Sequence, residues 1–481
     1  MVRRNWLCVV LLTVCLAAGT VTSVWADDKA DPTGTWKYSF TTQNGQAIDI
    51  TFKLKLDGEK LTGVFIGRDG QESPIGDASF KNGEVAFTIT RERDGQKFVS
   101  KYRGKVSGDS FKASVETEFG GQARTREVEA KRSDARPAPD LLGSLKKGSP
   151  DLKFAGPLAF GPQGVLFVGD TASAAVFAFD TGDRSPSGNG TLKIESIDEK
   201  VAGLLGTTAQ NLLINDMAVN PASGKVYLSV SRGKGPEAAP ALVRVNRDAK
   251  LESISLADIP FAKAPLANAP DPGAATKGQS QRSQSITDLA FVDGRVFIAG
   301  LSNEEFSSRL LAIPFPFSKT EPGTSLEIFH GAHGKFETRS PVRTFVPFKI
   351  AGDSQLLAAY TCTPLVKFPV AELKPGTHLK GTTVAELGNR NNPLDMIVYE
   401  KAGKNFLLLA NSNRGVMKIT TEGIDKAESI TEPVSGTRGQ SYETIAALKG
   451  VMQLDGLDKE HAIVLVRSEA GALNLDTVAL P

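Results

Sequence analysis

Between residues 32 and 132, apolar and polar residues alternate in short runs that tight-turn sequences separate. The turns read TQNGQ, LDGEK, RDGQE, KNGE, RDGQK, SGDS and GGQ. Alternation with a period of two is typical of half-buried strands, and Asn-Gly and Asp-Gly favour two-residue hairpins because type I′ turns need a positive φ. The pattern predicts about eight consecutive antiparallel strands, which remove their exposed edges by closing into an up-and-down barrel.

A second pattern recurs six times in residues 141–481. An apolar pair is followed by a turn, a short apolar run and a polar turn, as in NDMAVNPASGKVYLSVSRG from Asn215. In three of the copies, those from Asn215, Thr287 and Leu394, an Asp precedes the apolar pair. The other copies begin at Gly156, Thr287, Val346, Leu394 and Gly450. Each copy predicts three or four short strands, so the six copies predict a six-bladed β-propeller. The last copy lacks a clear fourth strand, and residues 141–150 are candidates to supply it.

Two resemblances accompany these patterns. GTWKYSF, from Gly34 to Phe40, resembles the Gly-x-Trp signature of lipocalin-like barrels, which implies a small apolar ligand inside. The alternative is that aromatic side chains simply fill the barrel. DMAV, DLAF and DMIV resemble the innermost strand of NHL and gluconolactonase-like six-bladed propellers. Gluconolactonase-like enzymes hold a divalent metal with Glu, Asn and Asp, but at the matching Gly156-Pro157 this chain has no carboxylate.

The N-terminus reads as a secretory signal. Arg3 and Arg4 precede the apolar run WLCVVLLTVCLAAG, and VWA ends at Ala26 with small residues where a signal peptidase reads. The alternative, a retained membrane anchor, needs a longer apolar run. The sequence thus predicts a signal in residues 1–26, a barrel in 32–132, a linker in 133–140 and a propeller in 141–481. The mature chain would be periplasmic or extracellular, without a transmembrane segment.

Charge and cysteine content restrict the possible partners and the possible cross-links of the chain. The chain has 56 basic and 54 acidic residues, and two of the basic ones are in the signal. This balance argues against nucleic acid as a partner. Cys8 and Cys15 also lie in the signal, so Cys362 is the lone cysteine of the mature chain and no intramolecular disulfide can form.

The propeller geometry predicts where a site lies. The loop entering each inner strand and the turn between the second and third strands open on one face, which we call the loop-rich face. Asp216, Asp288 and Asp395 stand at the start of inner strands, with Pro157 and Pro347 at matching places. These carboxylates either accept neighbouring N–H groups and tie blades together, or ring a divalent cation such as Ca²⁺, which prefers oxygen ligands.

Other polar residues map to the same face. Candidate ligand-binding residues are Asp170, Arg232, Asn303, Arg343, Arg390, Asn411, Asn413 and Arg414. Arginine can hold a carboxylate or phosphate with its planar fork, or neutralise the Asp residues. His330 and His333 are spaced H-x-x-H in a loop, with Glu337 nearby, and are candidates for a transition-metal site or a general base. Cys362 is a candidate nucleophile or a small buried residue.

These observations favour an exported binding protein that captures a polar small molecule, glycan or protein segment at the loop-rich face. A metal-dependent hydrolase or lactonase with its site on the same face is the alternative. A structural role in a cell-surface assembly is a second alternative. A propeller hosts unrelated functions, so the fold does not decide among them.

Overall fold

The computed structural model describes residues 31–481 except 42–46, 59, 67–71, 82, 94–95, 120–121, 134–140, 189 and 277. The chain divides into two compact units, Met1–Pro139 and Asp140–Pro481. Strands dominate the described residues, which confirms the all-β prediction. The predicted signal and nearly all of the predicted linker lie outside the described residues. None of the helices in the described part combines the length and apolarity needed to cross a bilayer.

The first unit is a nearly closed antiparallel barrel. Its strands are β1 (Gly34–Thr41), β2 (Ala47–Asp57), β3 (Lys60–Ile66), β4 (Glu72–Pro74), β5 (Gly76–Lys81), β6 (Glu84–Arg93), β7 (Gln96–Ser107), β8 (Ser110–Phe119) and β9 (Gln122–Arg132). They follow the order β4-β3-β2-β1-β9-β8-β7-β6-β5. Ile75 alone separates β4, which pairs with β3, from β5, which pairs with β6. The two act as one strand bent beside Pro74, so nine short strands correspond to the eight predicted.

Aromatic side chains occupy the barrel interior. Trp36, Phe52, Phe87 and Phe111 are almost fully buried, and their rings meet at centroid distances of 5.2 to 6.3 Å. Trp36 Nε1–H donates to the Pro32 carbonyl at 2.8 Å, which satisfies the buried indole nitrogen. This packing is what the second interpretation of the aromatic residues predicted.

The second unit is a six-bladed propeller. Its first strands are β10 (Lys146–Gly148), β11 (Leu158–Phe160), β12 (Val165–Asp170), β13 (Ala175–Asp180), β14 (Lys193–Ile194), β15 (Leu212–Val219), β16 (Val226–Arg232), β17 (Ala239–Val245), β18 (Leu251–Ser253), β19 (Ile259–Pro265), β20 (Ala275–Thr276), β21 (Gln279–Ser280), β22 (Asp288–Val292), β23 (Arg295–Leu301), β24 (Ser308–Pro314), β25 (Thr324–His330) and β26 (Lys335–Glu337). One α-helix among the described residues, α1 (Ile197–Leu204), lies between β14 and β15.

The remaining strands complete the propeller. They are β27 (Thr344–Ile350), β28 (Asp353–Ala359), β29 (Pro364–Pro369), β30 (His378–Lys380), β31 (Thr382–Glu386), β32 (Pro393–Lys401), β33 (Lys404–Asn411), β34 (Gly415–Thr420), β35 (Arg438–Gly439), β36 (Tyr442–Thr444), β37 (Val451–Gly456), β38 (His461–Arg467) and β39 (Leu473–Ala479). Single 3₁₀ turns lie at Leu142–Ser144, Pro162–Gly164, Ala209–Asn211, Gly235–Glu237, Arg282–Gln284, Val370–Glu372 and Ala446–Leu448.

The described strands of this unit form seven sheets: the small hairpin β20-β21 and six blades. The blades are numbered in the order of their inner strands. From the inner edge outward, blade 1 is β11-β12-β13-β19-β10 and blade 2 is β15-β16-β17-β18. Blade 3 is β22-β23-β24-β25 with β26 and β30, and blade 4 is β27-β28-β29-β31-β35. Blade 5 is β32-β33-β34-β36, and blade 6 is β37-β38-β39-β14. Stacking covers both faces of a blade, so β12 reads VLFVGD and is buried throughout.

The blades do not follow one another around the ring in chain order. Each apolar cluster joins two neighbours: blade 1 packs on blades 2 and 3, and blade 2 packs on blade 6. Blades 3, 4, 5 and 6 then follow in sequence. The ring order is therefore 2-1-3-4-5-6, with the first two blades exchanged.

Two crossing segments account for this exchange. After blade 1 the chain runs to the outer edge of blade 6, where β14 pairs with β39. After blade 2 it returns to blade 1, where β19 pairs with β13. Residues 141–150 therefore do not complete the sixth blade, because their strand β10 pairs with β19 in blade 1. The chain reaches blade 6 before it builds blade 2, an order that the repeat spacing does not encode.

Candidate functional site

Four partly buried carboxylates meet around the central channel. They are the predicted Asp216, Asp288 and Asp395, together with Asp455 of blade 6. Each accepts an N–H from the inner strand of the next blade: Leu158 donates to Asp216 at 2.7 Å, Phe345 to Asp288 at 2.7 Å, Leu454 to Asp395 at 2.8 Å and Val219 to Asp455 at 2.7 Å. These bonds join blade 2 to 1, 3 to 4, 5 to 6 and 6 to 2. They are the inter-blade ties that the first interpretation of the Asp residues predicted.

Two contacts between neighbouring blades, 1 with 3 and 4 with 5, have no such tie among the described residues. Blades 1 and 4 have no carboxylate at the position that Asp216, Asp288 and Asp395 occupy in their blades. In blade 1 the position is Pro157, as the sequence pattern suggested. Pro157 lies opposite Gly169 of the second strand, whose N–H donates to the Pro157 carbonyl. In blade 4 it is Thr344, which pairs with Ala359 as Asp288 pairs with Ala299. The match to Pro347 was therefore wrong by three residues, because blade 4 has the longer inner hairpin.

Crowding and burial favour the protonated form of these carboxylates. Burial raises the pKa of Asp288 to about 7 and that of Asp455 to about 6, although each accepts backbone hydrogen bonds. Burial first, and then the charge of Asp216, raise the pKa of Asp395. Burial also raises the pKa of Asp216, and the charge of Asp288 contributes in the same direction. A Ca²⁺ bound among them remains a prediction.

Asp455 was missed from the sequence because the inner strand of blade 6 has Gln453, and not an Asp, at the position that the repeat pattern marks. The pairing of β37 with β38 shifts between Val451 and Gln453, so Gln453 takes the place that Asp216 has in blade 2. Asp455 is two residues further along the same strand. A period of two puts Gln453 and Asp455 on one face, and that periodicity was the signal available.

An open pocket of about 430 Å³ lies on the loop-rich face between blades 4 and 5. Its lining consists of Asn389, Arg390, Asn413 and Arg414. Three of these were predicted ligand-binding residues, and Asn389 was not. Its volume is within the range of small-molecule sites, and all four lining side chains are polar.

The loops that form this pocket hold each other in place. Asn413 Nδ2 donates to the Arg390 carbonyl at 2.8 Å, and Asn413 N–H donates to Asn391 Oδ1 at 3.0 Å. Gly388, at φ 106°, leaves room for the guanidinium group of Arg414, since a Cβ there would lie 2.6 Å from its Cζ. Neither arginine forms an ion pair with another residue in the described part of the chain.

The other predicted binding residues lie outside this pocket. Asp170 is fully buried, and its oxygens accept from Lys153 N–H, Ser173 N–H and Ser173 Oγ. Asn411 is buried and donates to the Leu409 carbonyl. Arg232 donates to the Leu205 carbonyl, while the Asn303 backbone donates to Asn268. Burial lowers the pKa of Arg343.

His330, His333 and Cys362 come together between blades 3 and 4. One ring nitrogen of each histidine and Cys362 Sγ lie within 4.8 Å of one another. The H-x-x-H spacing suggested the histidine pair, and the turn position of Cys362 placed it on the same face. Their proximity depends on blade 3 packing against blade 4, which neither motif shows alone.

No family model and no curated protein matches this chain. Among solved structures, a PQQ-bound aldose sugar dehydrogenase from Streptomyces coelicolor is similar at 12% identity and a TM-score of 0.29, over 69% of this chain and 96% of that one. Two structures of the plexin A4 extracellular region are similar at 8% identity over 94% of this chain, with TM-scores of 0.19 and 0.20. The aligned region covers only 46% and 40% of the plexin chains. Likenesses this weak carry no information about activity.

Proposed function

We propose that this protein is an exported binding protein whose loop-rich face captures a small anionic molecule. The observation that carries the proposal is the pocket of Asn389, Arg390, Asn413 and Arg414. Two guanidinium groups line it, and no described carboxylate pairs with either. The basic and apolar N-terminal segment supports export.

The chemistry of the lining favours a carboxylate or a phosphate. A guanidinium group presents a planar fork of N–H donors that matches two oxygens of such an anion. The two asparagines add amide groups that suit the hydroxyls of a polar ligand. Sugar acids and sugar phosphates combine an anion with hydroxyls and are the ligand class that fits best.

Titration calorimetry with three matched sugars tests this proposal. We expect glucose 6-phosphate and glucuronate to bind and uncharged glucose to show no binding. A charge-assisted hydrogen bond contributes about 1.5–3 kcal/mol, so Arg390→Ala or Arg414→Ala should each weaken binding at least tenfold. Gly388→Ala keeps both charges but displaces Arg414, and it should weaken binding as well.

Arg232→Ala is the matched control, because Arg232 is a predicted face residue outside the pocket. It should bind the charged sugars as the unmodified protein does. Equal binding of glucose and glucose 6-phosphate, or full affinity in the Arg390→Ala/Arg414→Ala double variant, would contradict the proposal.

A further inference from the structure

A tight hairpin presents His330 and His333 side by side. His330 ends β25, and His333 lies in the turn that leads to β26. His333 N–H donates to the His330 carbonyl, and Gly334 N–H donates to the Gly331 carbonyl, both at 3.1 Å. These bonds coil the turn so that residues three apart share a face, and the two ring centroids are 3.9 Å apart.

One carboxylate orients both rings. Glu337 accepts from His330 Nδ1 at 3.1 Å, His333 Nδ1 at 2.7 Å and Ser340 Oγ at 2.8 Å. A carboxylate that accepts from both Nδ1 atoms favours the tautomer with Nδ1 protonated and a lone pair on Nε2.

The Nε2 atom of His330 is buried and has no hydrogen-bond partner among the described residues. The His330 residue is only 2% exposed. A buried acceptor without a partner is destabilising and calls for an explanation. A ligand that accepts this lone pair provides one.

The turn that carries Cys362 has a strained conformation. Cys362 and Thr363 have φ of 63° and 61°, a left-handed region that non-glycine residues enter at a cost. The neighbouring loop holds them there: Cys362 N–H donates to the Asn391 carbonyl at 2.7 Å, and Thr363 Oγ1 donates to the Gly388 carbonyl at 2.6 Å. This conformation places the thiol beside the two imidazoles.

We propose that His330, His333 and Cys362 form a binding site for a transition-metal ion with a preference for nitrogen and sulfur ligands. Two imidazoles and a thiolate suit Zn²⁺ or copper, and they do not suit Ca²⁺ or Mg²⁺, which take oxygen ligands. Ligands of a tetrahedral Zn²⁺ lie roughly 3.3–3.5 Å apart, given Zn–N of about 2.0 Å and Zn–S of about 2.3 Å. The donor atoms, all within 4.8 Å, need only a small closure.

The surroundings match this assignment. Glu337 plays the part of the carboxylate that holds metal-bound histidines through their other nitrogen. A second carboxylate, Glu386, is buried beneath the hairpin and accepts the Gly331 N–H. Its Oε2 has no described partner. Three protein ligands leave a fourth position open, as catalytic zinc sites do.

Cobalt titration of the full chain tests the site, with Cys8→Ser and Cys15→Ser so that Cys362 is the sole thiol. One equivalent of Co²⁺ should produce a thiolate-to-cobalt charge-transfer band. Zn²⁺ or Cu⁺ should bleach that band by displacing cobalt, and their relative potency identifies the preferred ion, while excess Ca²⁺ should leave the band unchanged. Cys362→Ser should abolish the band, and Glu337→Gln should weaken cobalt binding about 10–100-fold through the second ligand shell.

His378→Gln is the control, since His378 is partly exposed and pairs with Glu327 outside the cluster. It should keep the band and the affinity. Circular dichroism checks that each variant is folded. Absence of a band at one equivalent, a band that survives Cys362→Ser, or a band lost in His378→Gln would overturn the proposal. The anion proposal does not depend on this outcome, because the titration contains no sugar ligand.

Discussion

Replacing Asp183 by alanine is expected to cost about 3–5 kcal/mol of the propeller's unfolding free energy, because it leaves buried donors without their acceptor. Asp183 follows β13 in blade 1 and is buried. It accepts from the turn and strand of blade 2: Ser223 Oγ at 2.7 Å, Lys225 Nζ at 2.9 Å, Tyr227 OH at 2.9 Å and Asn220 Nδ2 at 3.1 Å. The cluster joins the two blades whose ring positions are exchanged.

The sign of the pH effect at Asp183 follows from its environment. Burial acts to raise its pKa, but hydrogen bonds from Ser223, Lys225 and Tyr227 outweigh burial and lower it. Its contribution to stability is therefore present above pH 4 and is lost as pH falls further.

Urea unfolding at pH 7 measures the effect of Asp183→Ala. Asp151→Ala, which removes an exposed pair with Lys153, is the control and should change nothing measurable. A loss below 1 kcal/mol for Asp183→Ala would contradict the assigned role.

Raising the pH from 4 to 8 is expected to lower the unfolding free energy of the propeller by about 6 kcal/mol through Asp288 and Asp455 alone, at about 1.4 kcal/mol per pKa unit. The reason is that the channel carboxylates hold protons in the folded state that an unfolded Asp, with a pKa near 3.9, has already released. Burial raises the pKa of Asp288 to about 7 and that of Asp455 to about 6. It also raises the pKa values of Asp216 and Asp395. This stabilisation is complete below pH 4, and it is lost as the pH rises through the pKa values that the channel carboxylates have in the folded state.

Asp395→Asn isolates the cause of this slope. The amide keeps a carbonyl acceptor but carries no charge, so it relieves repulsion with Asp216 and should flatten the dependence of stability on pH. The readout is the slope of unfolding free energy between pH 4 and 8, not its level at one pH. Asp425→Asn changes an exposed carboxylate outside the channel and should leave the slope as it was. Stability that is constant or rises over this range would be inconsistent with protonated channel carboxylates.

Sequence periodicity predicted most of the fold because it reports local geometry. Alternation marked the barrel strands, and the repeated phrase marked each inner hairpin of the propeller. Order around the ring is a property of packing between blades, and no local pattern expresses it. β14 has only two residues, and both β14 and β19 lie in long connections outside the repeated phrase, so the exchange of blades 1 and 2 could not be anticipated.

The candidate site shows the same division. The pattern brought Arg390, Asn413 and Arg414 to one face, and the structure places them around one pocket. It did not separate them from Asp170, whose burial and three hydrogen bonds follow from a turn that only coordinates reveal. Asp455 was missed because Gln453 occupies the repeat position in blade 6 and the carboxylate comes two residues later. His330 and Cys362 are 32 positions apart in the chain, and only the contact between blades 3 and 4 explains their proximity.

A crystal structure of the protein grown with glucose 6-phosphate tests the central claim most directly. The account predicts phosphate density between the guanidinium groups of Arg390 and Arg414, with sugar hydroxyls near Asn389 and Asn413. Ligand density elsewhere on the molecule, with this pocket filled only by solvent, would contradict it.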